Sequence, residues 1–67
     1  MINYYKVEWI IDDLSYSVYI FAHDEIEAII IGKVLLQMEY PFLYHFILMN
    51  MGKYNVTLLK ETYKINL

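Results

Sequence analysis

The feature that most constrains this chain is a surplus: 60% of its 67 residues are hydrophobic, and none is a cysteine. A domain this short buries only about 60% of the surface its unfolded chain exposes. Apolar and aromatic side chains therefore outrun the available interior, and the excess has to meet a partner or a second copy. Chains below about 70–80 residues rarely gain more than about 3–5 kcal/mol from one core, and they add disulfides, a metal or oligomerisation. Disulfides are excluded here. His23 and His45 are the only imidazoles, with no thiolate to join them, which argues against a structural zinc. No metal and no cofactor are expected. Self-association, as a homodimer or higher homo-oligomer, is the stabiliser that remains.

Charge narrows the partners. Eight acidic residues oppose five lysines, for a net charge of −3. Lys6, Lys33, Lys53, Lys60 and Lys64 are scattered, whereas phosphate neutralisation needs clustered cations, so nucleic acid is not expected as a direct ligand. The acidic excess is also too dispersed for a DNA mimic. The longest run without a charged residue, 40–52, has 13 residues, short of the roughly 18 or more that a spanning helix needs. Met1-Ile2 leads at once into Asn3, Tyr4, Tyr5 and Lys6, which does not read as a secretory signal. A single soluble domain over residues 1–67, located in the cytoplasm, is the expectation.

Residues Tyr4–Ile11 alternate with a period of two: Tyr5, Val7, Trp9 and Ile11 against Tyr4, Lys6, Glu8 and Ile10. Ser15–Ala22 alternates again, with Tyr16, Val18, Ile20 and Ala22 opposite Ser15, Ser17, Tyr19 and Phe21. Asp12-Asp13-Leu14 between them predicts a hairpin turn. Asp24-Glu25-Ile26-Glu27 then predicts a capped helix entry, with Asp24 as cap and Glu27 reaching back. The helix should end near Glu39, because the residue before Pro41 is pushed out of helical geometry.

Projected at 100° per residue, Ala28, Ile31, Val34, Leu35 and Met38 form a stripe that suits a sheet. Ile26, Ile29, Ile30 and Leu36 fall on a second sector, the expected oligomer interface. Gly32 inside the helix costs about 1 kcal/mol against alanine, and reads either as room for the close approach of another backbone, such as a second copy's helix, or as space for Trp9 or a tyrosine. Phe42–Asn50 is almost continuously apolar, so periodicity alone does not separate a strand from a short helix beginning at Pro41. A strand over 44–50, a turn at Met51-Gly52-Lys53 and a last strand over 55–65 are favoured. The expected fold is α+β, ββαββ, a four-stranded antiparallel sheet with one helix on one face. The alternative is ββααβ, with a second short helix from Pro41.

No residue set calls for catalysis. Asp24 reads as a cap, Asp12 and Asp13 as a turn, and His23 as a flanking residue. His45 reads as a partly buried imidazole with a backbone partner. The tyrosines carry more meaning, since large rings with a polar tip are enriched at interface hot spots. Tyr5, Trp9 and Tyr16 belong to the core row. Tyr4, Ile10, Tyr19 and Phe21 lie on the opposite row of the hairpin, the expected partner-binding face.

The hairpin segment Tyr5-Lys6-Val7-Glu8-Trp9, followed by Ala22-His23-Asp24-Glu25-Ile26-Glu27-Ala28 at the helix start, resembles short phage-encoded accessory proteins. That group includes inhibitors of host enzymes and of antiviral systems such as CRISPR effectors. The resemblance covers the first 38 residues and implies a protein-binding inhibitor with no catalytic residue. The expected function is therefore a non-enzymatic interaction module acting on a host or defence enzyme. The alternatives are a small-molecule or nucleotide-sequestering protein, which the lack of arginine weakens, and a structural subunit of a larger complex.

Overall fold

In the computed structural model, which describes residues 1–62, the elements are β1 (Ile2–Ile11), β2 (Leu14–Ala22), α1 (Glu25–Glu39), α2 (Leu43–Leu48) and β3 (Lys53–Thr62). The α+β class is as expected, but the order is ββααβ. The sheet has three antiparallel strands in the order β2-β1-β3. The expected fourth strand over 44–50 is replaced by α2, and the part of the expected last strand at 63–65 lies outside the described residues.

The hairpin follows from its alternation. Tyr5, Val7 and Trp9 of β1 and Ile20 and Ala22 of β2 are buried on one face. Ile11 pairs with Leu14, so Asp12-Asp13 is a two-residue loop. Asp12 takes φ 53, a left-handed conformation that a short polar side chain tolerates without glycine.

α1 begins as its sequence announces. The Asp24 carboxylate accepts a hydrogen bond from the Glu27 backbone N–H at 2.8 Å. Glu27 Oε1 reaches back one residue further than in a simple capping box and accepts from the His23 backbone N–H at 3.2 Å. Glu25 and Glu27 add charge that favours the positive end of the helix dipole. At the other end Tyr40 leaves helical geometry, at φ −127 and ψ 81, as expected of the residue before Pro41.

The rotation of α1 departs from the simple projection. Ala28, Gly32 and Leu36 face the sheet, with Ile31 and Leu35 packed beside them. Val34 and Met38, expected in the core stripe, are exposed. Leu36, expected at an oligomer interface, is 0% exposed and belongs to the interior of one copy. The cause is Gly32. A Cβ built there would lie 2.6–2.8 Å from the Cγ1, Cβ and Cγ2 atoms of Val7, so only glycine lets helix and sheet approach this closely. Trp9, Leu36, Leu43 and Val7 are the largest fully buried side chains, each contributing about 1.5–3 kcal/mol of apolar burial.

α2 forms because Leu43 and Ile47, four residues apart, drop onto the core together. Its end is a Schellman motif. Asn50 is left-handed at φ 55; its N–H bonds the Ile47 carbonyl at 3.1 Å, and the Met51 N–H bonds the Phe46 carbonyl at 2.7 Å. An extended chain over 43–47 would have separated Leu43 and Ile47 by about 13 Å. His45 consequently sits in the last turn of α2 and is exposed, not partly buried as expected.

Gly32→Ala gains about 1 kcal/mol of helix propensity but forces a methyl group into Val7, and overpacking costs about 1–3 kcal/mol. A net loss of up to about 2 kcal/mol is expected by urea denaturation, with Val7→Ala in the same chain recovering part of it.

Candidate interaction surface

The face of the sheet away from α1 is built from the polar-side rows of the hairpin and from β3. Tyr4 is directly opposite Phe21 on β2, and Lys6 opposite Tyr19. Because β1 is central, the same residues meet β3 on the other side: Tyr4 opposite Lys60, Lys6 opposite Thr57. The tyrosine and phenylalanine rings form one cluster. Tyr4 stacks on Tyr19 with centroids 6.1 Å apart and tilts against Phe21 at 4.8 Å.

Tyr19 is 55% exposed and Phe21 62%, although both stand on a strand whose other face is core. Lys6 lies 3.7 Å from Glu8, and Ser15 Oγ donates to Glu8 at 2.6 Å, so the acid is held away from the aromatic end. The aromatic end is bordered by the lysine positions 6 and 60. Such a surface offers apolar contact area with polar tips, bordered by the Lys6–Glu8 ion pair and by the Lys60 position.

Three of the four residues expected at the partner face therefore come together. Ile10 shares the face but is six residues along β1 from Tyr4, about 20 Å away, opposite Ser15 and Lys53. On α1, Ile26 and Ile30 are exposed, Ile29 is half-buried and Leu36 is interior. Ile26, Ile30, Val34 and Met38 follow one another at intervals of four, an aliphatic ridge on the outer surface.

Sequence reasoning missed a second aromatic assembly at the other end. The Lys33 ammonium lies 5.9 Å from the Trp9 ring centre and 5.5 Å from that of Tyr54, and the two rings stack 6.4 Å apart. Trp9 Nε1 donates to the Met51 carbonyl at 2.9 Å. Gly52, at φ 109, lets the chain pass under the indole: a Cβ there would be 2.6 Å from the Ile10 carbonyl oxygen. The i to i+3 or i+4 patterns used for helices do not reveal a pairing between residues 33 and 54.

A shallow hollow opens at the β2 edge, where Ser17 and Tyr19 meet Leu35, Met38, Glu39 and Tyr40. Among the described residues, no three His, Asp or Glu side chains gather as a metal site requires. No helix there is long and apolar enough to cross a membrane. No protein-family model, curated protein or solved structure matches the chain at a significant level.

Exposed aromatics that the fold does not need are tested by their removal. Tyr19→Ser and Phe21→Ser are each expected to cost about 1 kcal/mol or less, the worth of a cross-strand aromatic pair. Urea denaturation should show the midpoint lowered and the slope unchanged.

Proposed function

We propose that this chain is a non-enzymatic protein-interaction module of phage origin that inhibits a host or antiviral-defence enzyme. A CRISPR effector or another nuclease, met in the cytoplasm of the host cell, is the kind of target meant. Inhibition is by occupancy: the Tyr4–Tyr19–Phe21 cluster docks on the enzyme and blocks a surface that the enzyme needs. Occupancy requires a rigid apolar platform and a charged rim, and no reacting group.

The observation that supports this reading is the exposure of Tyr19 and Phe21 in a cluster braced by Tyr4. Interface energy concentrates in a few such rings, which lose little conformational freedom on binding because their neighbours already hold them. The Lys60 position beside the cluster favours an acidic group on the target surface, whereas Lys6 is already paired with Glu8. The similarity of the Tyr5–Trp9 and Ala22–Ala28 segments to phage accessory proteins supports the origin.

The hollow beside Tyr19 favours a second reading, a small-molecule binder. Its lining includes Glu39 and no lysine, which disfavours a phosphorylated ligand. A nucleotide that raises the melting temperature by several degrees would support this reading over the first.

The direct test is capture from host lysate with identification by mass spectrometry, followed by calorimetry on the purified target. The double variant Tyr19→Ser, Phe21→Ser should bind at least tenfold more weakly, a loss of about 1.4 kcal/mol or more. An unchanged affinity would refute the assignment of this face.

A further inference from the structure

The hairpin fixes which backbone groups face the open edge of β2. A two-residue loop makes its closing pair, Ile11 and Leu14, a hydrogen-bonded one, and such pairs alternate along an antiparallel ladder. Trp9–Tyr16, Val7–Val18 and Tyr5–Ile20 therefore exchange their bonds within the hairpin. The N–H and C=O groups of Ser15, Ser17, Tyr19 and Phe21 point the other way, and among the described residues no strand meets them. Ser17 and Tyr19 are the two that border the hollow, across from Leu35, Met38, Glu39 and Tyr40.

The α1 wall of this hollow is electronegative. Glu39 ends α1, where the helix dipole is negative, and the last turn carries no basic residue. Pro41 has no N–H, and among the described residues no backbone donor reaches the Gln37, Met38 or Glu39 carbonyls. The Glu39 carboxylate takes part in none of the ion pairs between described residues. The floor beneath it is apolar and incompletely covered, since Val18 and Leu35 are only half-buried. At about 500 Å³ the hollow has room for one long side chain.

We propose that an extended segment of the target protein adds to β2 as a fourth strand and places a lysine or arginine in the hollow against Glu39. This rests on the reading of the chain as a protein-binding module and names the chemistry its partner presents. Main-chain bonds to Ser17 and Tyr19 supply the hold, as in other recognition of peptides by sheet edges. The residue opposite Val18 turns inward whichever way the segment runs, because side chains alternate between faces in either direction. Its methylene stem covers Val18, Leu35 and Met38, while its charged head meets Glu39 and the carbonyl end of α1. The next residue along faces outward beside Tyr19, so the added strand widens the aromatic face.

The probe is a blocked heptapeptide alternating threonine and valine with lysine at its centre, titrated into the isotope-labelled full chain. At millimolar peptide the amide resonances of Ser17 and Tyr19 should shift most, and those of β3 should stay in place. Glutamate at the peptide's centre should weaken binding about threefold or more, within the range of a partly exposed ion pair. Glu39→Gln takes an unfavourable charge off the helix end, so the fold is not at risk, and it should abolish the preference for lysine. Absent shifts, shifts centred on β3, or a lysine preference that survives Glu39→Gln would each overturn the proposal. The captured target separates this from the docking of the aromatic cluster. A target that tolerates Tyr19→Ser, Phe21→Ser but loses affinity for the Glu39→Gln chain would refute the cluster and support strand addition. The reverse pattern would refute strand addition alone.

Discussion

The contact between Val7 and Gly32 governs the arrangement of everything else. Val7 stands at the middle of the central strand, and Gly32 at the middle of α1. Without a side chain at position 32, the helix backbone settles directly onto a branched valine, whose own rotamer freedom is small. That seating sets the rotation of α1, sending Leu36 inward and Val34 and Met38 outward. It also brings α1 close enough for Lys33 to span Trp9 and Tyr54.

One helix of 15 residues cannot roof three strands of nine or ten. The fold resolves this by favouring the hairpin and filling one corner with α2. The consequence is two kinds of exposed apolar surface with different physical characters. The open sheet face carries rings stacked on one another beside lysine positions, a pre-organised and partly polar platform. The β3 side carries aliphatic and aromatic residues next to an unpaired backbone edge, where hydrogen bonding and apolar burial can be gained together.

Much of this was legible in the residues. The period-two alternation placed β1 and β2 within about two residues of their observed bounds, and Asp24 marked the start of α1. Tyr4, Tyr19 and Phe21 were placed on one face because strand parity is rigid. The failures share a cause. For residues 42–50, both the strand and the helix bury apolar side chains, and only the docking of Leu43 and Ile47 onto an already formed core selects the helix. Asn50 was the local clue, since asparagine tolerates the left-handed turn that closes α2. For α1, the projection weighed hydrophobic residues alone, so Gly32 was left out of a face whose centre it occupies. Leu36 was assigned outward for the same reason.

Trp9 is the only indole in the chain, and it is held on three sides: by Tyr54, by the Lys33 ammonium and by the Met51 carbonyl. Light absorbed by Tyr54, whose ring stacks 6.4 Å from the indole, passes by resonance transfer to that single acceptor. Its emission colour responds to the cation above the ring, and its intensity to the peptide group at the indole nitrogen. The protein thus carries an intrinsic optical gauge, set at the seam where β1, α1, β3 and the segment after α2 converge.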